Sequence, residues 1–239
     1  MPKLFSATGL IIYLAEVPEV MRKMKVVWTL MKDISKYVEC VRTRLETLAK
    51  TNTRTLIAIA GPPASGKSTL AEQLQIRLNE ISMPCGIVPM DGFHLDNEIL
   101  KARGLLSRKG APETFDVEGF KALLHQLITE KEVSVPLFDR AGDIVIPNAV
   151  YIEEHHHHII IEGNYLFLDE DVWRGLQPYW SLRVFISPPL EVLEQRLVQR
   201  WLAHGLEEGA AKKGARTNDI PNAKRILEQS DLQAVDIAF

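Results

Sequence analysis

Gly61-Pro62-Pro63-Ala64-Ser65-Gly66-Lys67-Ser68 is a loop bracketed by glycines and closed by a lysine and a serine. Before it runs Thr55-Leu56-Ile57-Ala58-Ile59-Ala60, apolar and partly β-branched, with the length of a buried strand. After it, Ser68 to Glu80 places Leu70, Leu74 and Leu78 on one helical face. Strand, loop and helix in this order are the context that the G-x-x-x-x-G-K-S pattern, the P-loop, requires. The N–H groups of such a loop and the start of its helix converge on one spot, and that spot favours phosphate. Lys67 adds a point charge for the outer phosphates, and Ser68 offers an oxygen to Mg²⁺. The expected nucleotide contacts are Gly61, Pro62, Pro63, Ala64, Ser65, Gly66, Lys67, Ser68 and Thr69. A P-loop alone specifies a nucleotide, not a reaction.

The other strands predict the architecture around this loop. They are Gly86 to Asp91, Ile159 to Gly163, Leu182 to Ser187 and Ala234 to Ala238, with helical patterns between them. That alternation predicts a three-layer α/β/α fold with a five-stranded parallel sheet. Ligands in such sheets bind beyond the carboxyl ends of the strands, where Gly61, Asp91 and Glu162 all fall. The 239 residues suit one sizeable domain, read here as residues 33–239. Residues 1–32 read as an N-terminal extension, with Met21, Met24 and Met31 as further candidate starts. A helix over 33–50 is expected, with Asp33 as its cap and Ile34, Val38, Val41, Leu45 and Leu48 on one face.

A net charge of -3 leaves no electrostatic footprint for nucleic acid. No apolar run is long enough to span a membrane. Cys40 and Cys85 have no metal or redox spacing and point to a reducing, cytoplasmic setting.

Between the second and third strands lies an insertion, about residues 92–154, too long for an ordinary loop. It contains one clear helix, capped by Asp116, with Val117, Phe120, Leu123, Leu124, Leu127 and Ile128 as its apolar stripe. Its flanks carry Arg103, Arg108, Lys109, Glu113, Asp139, Arg140 and Asp143 beside Phe115 and Phe138. That mixture suits either a solvated surface or an acceptor pocket.

Single residues stay open at this level. Asp91 is a turn aspartate before Gly92, or a base facing the γ-phosphate. Glu162 ends the most hydrophobic strand and is either a Mg²⁺ partner or a carboxylate emerging into solvent. Arg196, Arg200 and His204 recur every four residues and form either a solvated basic face or a lid, about 196–218, over a triphosphate. His155 to His158 suits a polar strand entrance better than a metal tract, because alternate side chains diverge.

Together these residues resemble the P-loop kinases that include uridine kinase, phosphoribulokinase and bacterial pantothenate kinase. Within that group they are most similar to bacterial fructose-transport-system and nucleoside/nucleotide kinases. The resemblance rests on Met90-Asp-Gly-Phe-His-Leu-Asp-Asn97, Arg103-Gly-Leu-Leu106, Arg108-Lys-Gly-Ala-Pro-Glu-Thr-Phe-Asp116, Pro136-Leu-Phe-Asp-Arg140, Glu162-Gly-Asn-Tyr-Leu166, Arg196-Leu-Val-Gln-Arg-Trp201 and Asn218-Asp219. It implies ATP and Mg²⁺ as cofactors, Asp91, Lys67, Arg196 and Arg200 as catalytic groups, and Ser68 and Glu162 at the metal. It also implies an acceptor site from the insertion, with Asp139 and Arg140 as contacts; Arg103 and Glu113, in the same charged flanks, are the further candidates. The implied partner is a small hydroxyl acceptor, a fructose-like sugar first, with a nucleoside or a pantothenate-like alcohol as alternatives. The implied assembly is a monomer or homodimer. A nucleotide-dependent regulatory protein without catalysis is the competing class.

Overall fold

The computed structural model describes residues 34–48 and 53–239. Asp33 and the extension at residues 1–32 lie outside that range. Of the expected helix at 33–50, residues 34–46 are helical, here α1.

Strands β1 (Thr55–Ala60), β2 (Cys85–Pro89), β5 (His158–Gly163), β6 (Leu182–Phe185) and β7 (Ile237–Ala238) form one sheet in the order β2-β5-β1-β6-β7. Every neighbouring pair in it is parallel. The expected five-stranded parallel sheet is therefore present, with shorter ends. Asp91 has left its strand for a 3₁₀ turn at Met90–Phe93. Ala234 lies in a turn, and Asp236 reaches β6 through its N–H to the Arg183 carbonyl at 3.0 Å.

Strand alternation divides the core. Leu56, Ala58 and Ala60 of β1 pack on one face with Phe120, Leu124, Tyr165, Phe167 and Ile226. Ile57 and Ile59 pack on the other with Val38, Val41, Leu70, Leu74 and Leu78. Helix α2 (Lys67–Glu80) and α1 thus cover one side of the sheet. Helix α4 (Val117–Thr129) and helix α8 (Ile220–Gln229) cover the other. Asp116 caps α4 through the Gly119 N–H at 3.0 Å, as its sequence predicts.

The insertion holds more structure than its sequence pattern revealed. A short helix α3 (Asn97–Ala102) precedes α4, and an antiparallel hairpin of β3 (Val133–Asp139) and β4 (Ile144–Ile152) follows it. The hairpin crosses the turn that carries Asp91. A Cβ at Gly92 would lie 2.2 Å from the Pro136 carbonyl oxygen, so only glycine allows that approach. Arg54 ties the far side together by donating to the carbonyls of His156, Leu127, Glu130, Lys131 and Glu153. The segment expected as a lid, about 196–218, falls on α6 (Leu190–Ala203), α7 (Glu208–Gly214) and a π-helical turn at Ala215–Asp219.

Candidate active site

A cavity of about 1080 Å³ lies beyond the carboxyl ends of the strands, at the upper end of the roughly 300–1,000 Å³ usual for small-molecule sites. Its lining includes Lys67, Ser68, Asp91, Glu162, Arg140, Arg196 and Arg200. The structure thus brings together residues that the sequence scatters over more than half its length.

At one end the P-loop leaves β1 through Gly61, whose φ is 151°. A Cβ there would sit 2.2 Å from the Ile186 carbonyl oxygen, so the loop can pass β6 only with glycine. Gly61 and Pro62 are buried supports, while Pro63 to Thr69 line the cavity. Lys67 Nζ donates to the Pro62 carbonyl at 2.8 Å. Burial lowers its pKa to about 8, against the opposing pull of Glu162 and Asp91. An arriving phosphate restores that charge. The Ser65 hydroxyl is buried without a hydrogen-bond partner among the described residues, a group that a phosphate oxygen would satisfy.

Glu162, at the end of β5, has its pKa raised by burial, and Lys67 and the Ser68 hydroxyl draw it back. Among the described residues no group of three or more His, Cys, Asp or Glu is placed to hold a metal. One carboxylate and one hydroxyl beside a phosphate cradle fit Mg²⁺, which usually takes few protein ligands and completes its shell with phosphate and water. The His155–His158 run sits at the entrance of β5, with the His155 and His156 rings tilted against each other, centroids 4.0 Å apart.

The lid reaches the same end. Arg196 Nη1 donates to the Ala64 and Ser65 carbonyls, each at 3.1 Å. Arg200 meets Asp219 at 3.3 Å, and Trp201 Nε1 donates to the same carboxylate at 2.7 Å. The sequence marked Asn218-Asp219 without revealing this role: Asp219 holds the lid arginine in place.

The other end is lined by side chains of the insertion. His94 packs between Phe115 and Phe138, with ring centroids 4.2 and 4.5 Å away. Its ring Nδ1–H donates to the Asp91 carbonyl at 2.7 Å, and burial lowers its pKa, which keeps it neutral. Tyr165 donates its hydroxyl to the Gly110 carbonyl at 2.5 Å. Asn218 of the lid donates to the Lys109 carbonyl at 3.0 Å, joining lid and insertion. Arg140 Nη2 donates to Asp91 Oδ2.

Of the four expected acceptor contacts, only Arg140 lines the cavity. Arg103 ends α3 on the surface. Glu113 is spent on Arg108 at 2.8 Å and Arg225 at 3.2 Å. Asp139 accepts from the Ala141 N–H at 3.0 Å and shapes the hairpin turn. These three stand outside the lining of the cavity in this structure. His94, Lys109 and Tyr165 take their place in the lining; of these, only Lys109 stood among the charged residues noted in the insertion.

Residues 56–207 match the model of the Phosphoribulokinase / Uridine kinase family. The chain belongs to this family. Its relatives include proteins named as uridine and pantothenate kinases, and this protein is a P-loop small-molecule kinase. It is 37% identical to "Putative uridine kinase C227.14" of Schizosaccharomyces pombe, covering 80% of this chain and 85% of that one. It is 35% identical to "Uncharacterized protein YggC" of Escherichia coli, covering 74% of each. Among solved structures, a "putative fructose transport system kinase" from Silicibacter sp. TM1040 is 45% identical with a TM-score of 0.80, over 86% of this chain and 98% of that one.

Proposed function

We propose that this kinase transfers the γ-phosphate of MgATP to a hydroxyl of a small cytoplasmic metabolite, with a fructose-like sugar as acceptor. The observation that carries this reading is one cavity with the P-loop and Lys67 at one end and Asp91 facing the insertion at the other. The acceptor oxygen forms a bond to the γ-phosphorus. The bond from that phosphorus to the bridging oxygen breaks, and its electron pair leaves with ADP. The hydroxyl proton passes to Asp91. Lys67 and Arg200 spread the developing charge, and Arg196 braces the loop that carries it. Ser68 and Glu162 are the residues to hold Mg²⁺, which when bound neutralises phosphate charge. Lid closure excludes water and suppresses hydrolysis.

The sugar assignment is supported by the name of the 45% identical structure. A nucleoside is the second reading, favoured by the His94, Phe115, Phe138 and Tyr165 rings at the acceptor end and by the uridine kinase relative. Screening sugars and nucleosides with ATP, reading ADP release, tests both. Fructose-dependent release supports the first reading; uridine-dependent release with fructose inert overturns it.

A further inference from the structure

Lys109 is a cation in the wall of the acceptor end, and such a residue reads at first as a substrate contact. Its hydrogen bonds point elsewhere. An ammonium has three donors, and Nζ spends them on Asn97 Oδ1 at 2.8 Å, Asp143 Oδ1 at 2.7 Å and the Asp143 carbonyl at 3.1 Å. Asn97 Nδ2 in turn donates to Asp143 Oδ2 at 2.8 Å, which closes a ring of three side chains. The Lys109 side chain is 14% exposed there, against 52% for Asp143. Neither Asn97 nor Asp143 lines the cavity.

The ring grips the turn between β3, which ends at Asp139, and β4, which starts at Ile144. Nζ lies 5.0 Å from the ring centroid of Phe138, two residues before Arg140, and binds Asp143, three residues after it. Asp143 has a φ of 53°, in the left-handed region, where a residue other than glycine is strained unless its surroundings hold it. Lys109 holds both its carboxylate and its carbonyl. At the start of the turn, Asp139 accepts from the Ala141 N–H at 3.0 Å. Between these two anchors stands Arg140, whose Nη2 donates to Asp91 Oδ2. The Asp91 carboxylate makes no other hydrogen bond among the described residues, which leaves Oδ1 for an acceptor hydroxyl. The Arg140 side chain is 59% exposed, and an ion pair that open is too weak to fix its own geometry.

Resting on the kinase reading above, we infer that Asn97, Lys109 and Asp143 form a clamp that positions Arg140, and through it the Asp91 carboxylate, for proton transfer. Arg140 orients the base by occupying one of its oxygens, and the clamp keeps the turn where Arg140 can do so. Lys109 is thus a positioning residue whose donors are spent before any acceptor arrives.

The test measures ADP release with fructose and with uridine, and amide hydrogen exchange across the turn. Asp143→Gly keeps the left-handed backbone and removes the carboxylate; Lys109→Met removes the ammonium. Each is expected to lower kcat roughly 10–100-fold with nucleotide affinity unchanged. Each should also speed exchange at residues 139–144 about tenfold while α4 exchanges as before. The double variant is expected to fall no further than the worse single one, since both cut the same link. Asp143→Asn keeps an acceptor oxygen and tolerates the backbone, so it should recover most of the loss. A direct substrate contact by Lys109 predicts a different pattern, with Asp143→Gly near wild type while Lys109→Met fails. That pattern, additive losses or unchanged exchange overturns the clamp and leaves the kinase reading standing. If neither acceptor supports ADP release, the acceptor reading falls, and the exchange rates alone decide the clamp.

Discussion

The donor end of the cavity is built from backbone, and the acceptor end from side chains. The P-loop shapes its phosphate site with consecutive N–H groups, and its one demanding contact is Gly61 against the Ile186 carbonyl. The acceptor end borrows Asp91 and His94 from the turn after β2, Lys109 and Phe115 from the insertion, Phe138 and Arg140 from the hairpin, and Tyr165 from beyond β5. A backbone site is specified locally, by one loop and the two elements that flank it. A side-chain site from four segments changes whenever one segment changes, and acceptor identity can drift while the donor stays fixed.

Four substitutions and a titration press on that contrast. Asp91→Asn is expected to lower kcat about 10²–10⁴-fold while nucleotide titrations barely move, because only the acceptor end loses its base. Gly92→Ala forces the Pro136 carbonyl away from the Asp91 turn, and a displacement of this kind costs about 10²-fold in transfer with nucleotide affinity retained. Gly61→Ala does the reverse: its strained φ and backbone clash should weaken nucleotide binding roughly 10–100-fold. Loss of nucleotide affinity in Gly92→Ala would show that the two ends are not separable. Asp219→Asn frees Arg200 and should lower kcat about tenfold or less, with acceptor KM little changed.

The smallest effect is a proton. Lys67 of the free enzyme titrates near pH 8 because burial disfavours its charge. A triphosphate restores that charge, so nucleotide binding at pH 8 should take up a fraction of a proton and weaken as pH rises further. Calorimetry in buffers of different ionisation enthalpy reads this directly; proton release would contradict it. By the same sign, the free fold binds fewer protons than the unfolded chain between about pH 8 and 10.5, and it gains stability across that interval.

This division also explains what could be read from the sequence. The P-loop, β1, β5 and the capped helix α4 are local patterns, so periodicity and glycine spacing sufficed. The hairpin escaped because β4 exposes Ile144, Ile146 and Tyr151 and shows no clean alternation of buried and open positions. Asp139 and Glu113 read as acceptor contacts because charge type is visible in sequence and direction is not; in the structure neither lines the cavity. One shapes a turn, and the other braces α8 through Arg225. His94 was inconspicuous alone; it became part of the site only when Phe115 and Phe138 closed on both sides of it.

The central claim is that phosphate crosses from one end of this cavity to the other. A single turnover of ATP labelled in the γ-phosphate, with a panel of sugars and nucleosides, tests it most directly. The label should appear on an acceptor oxygen in the wild-type enzyme and stay on ATP in Asp91→Asn. Label released only as inorganic phosphate, or label transferred equally well by Asp91→Asn, would contradict it.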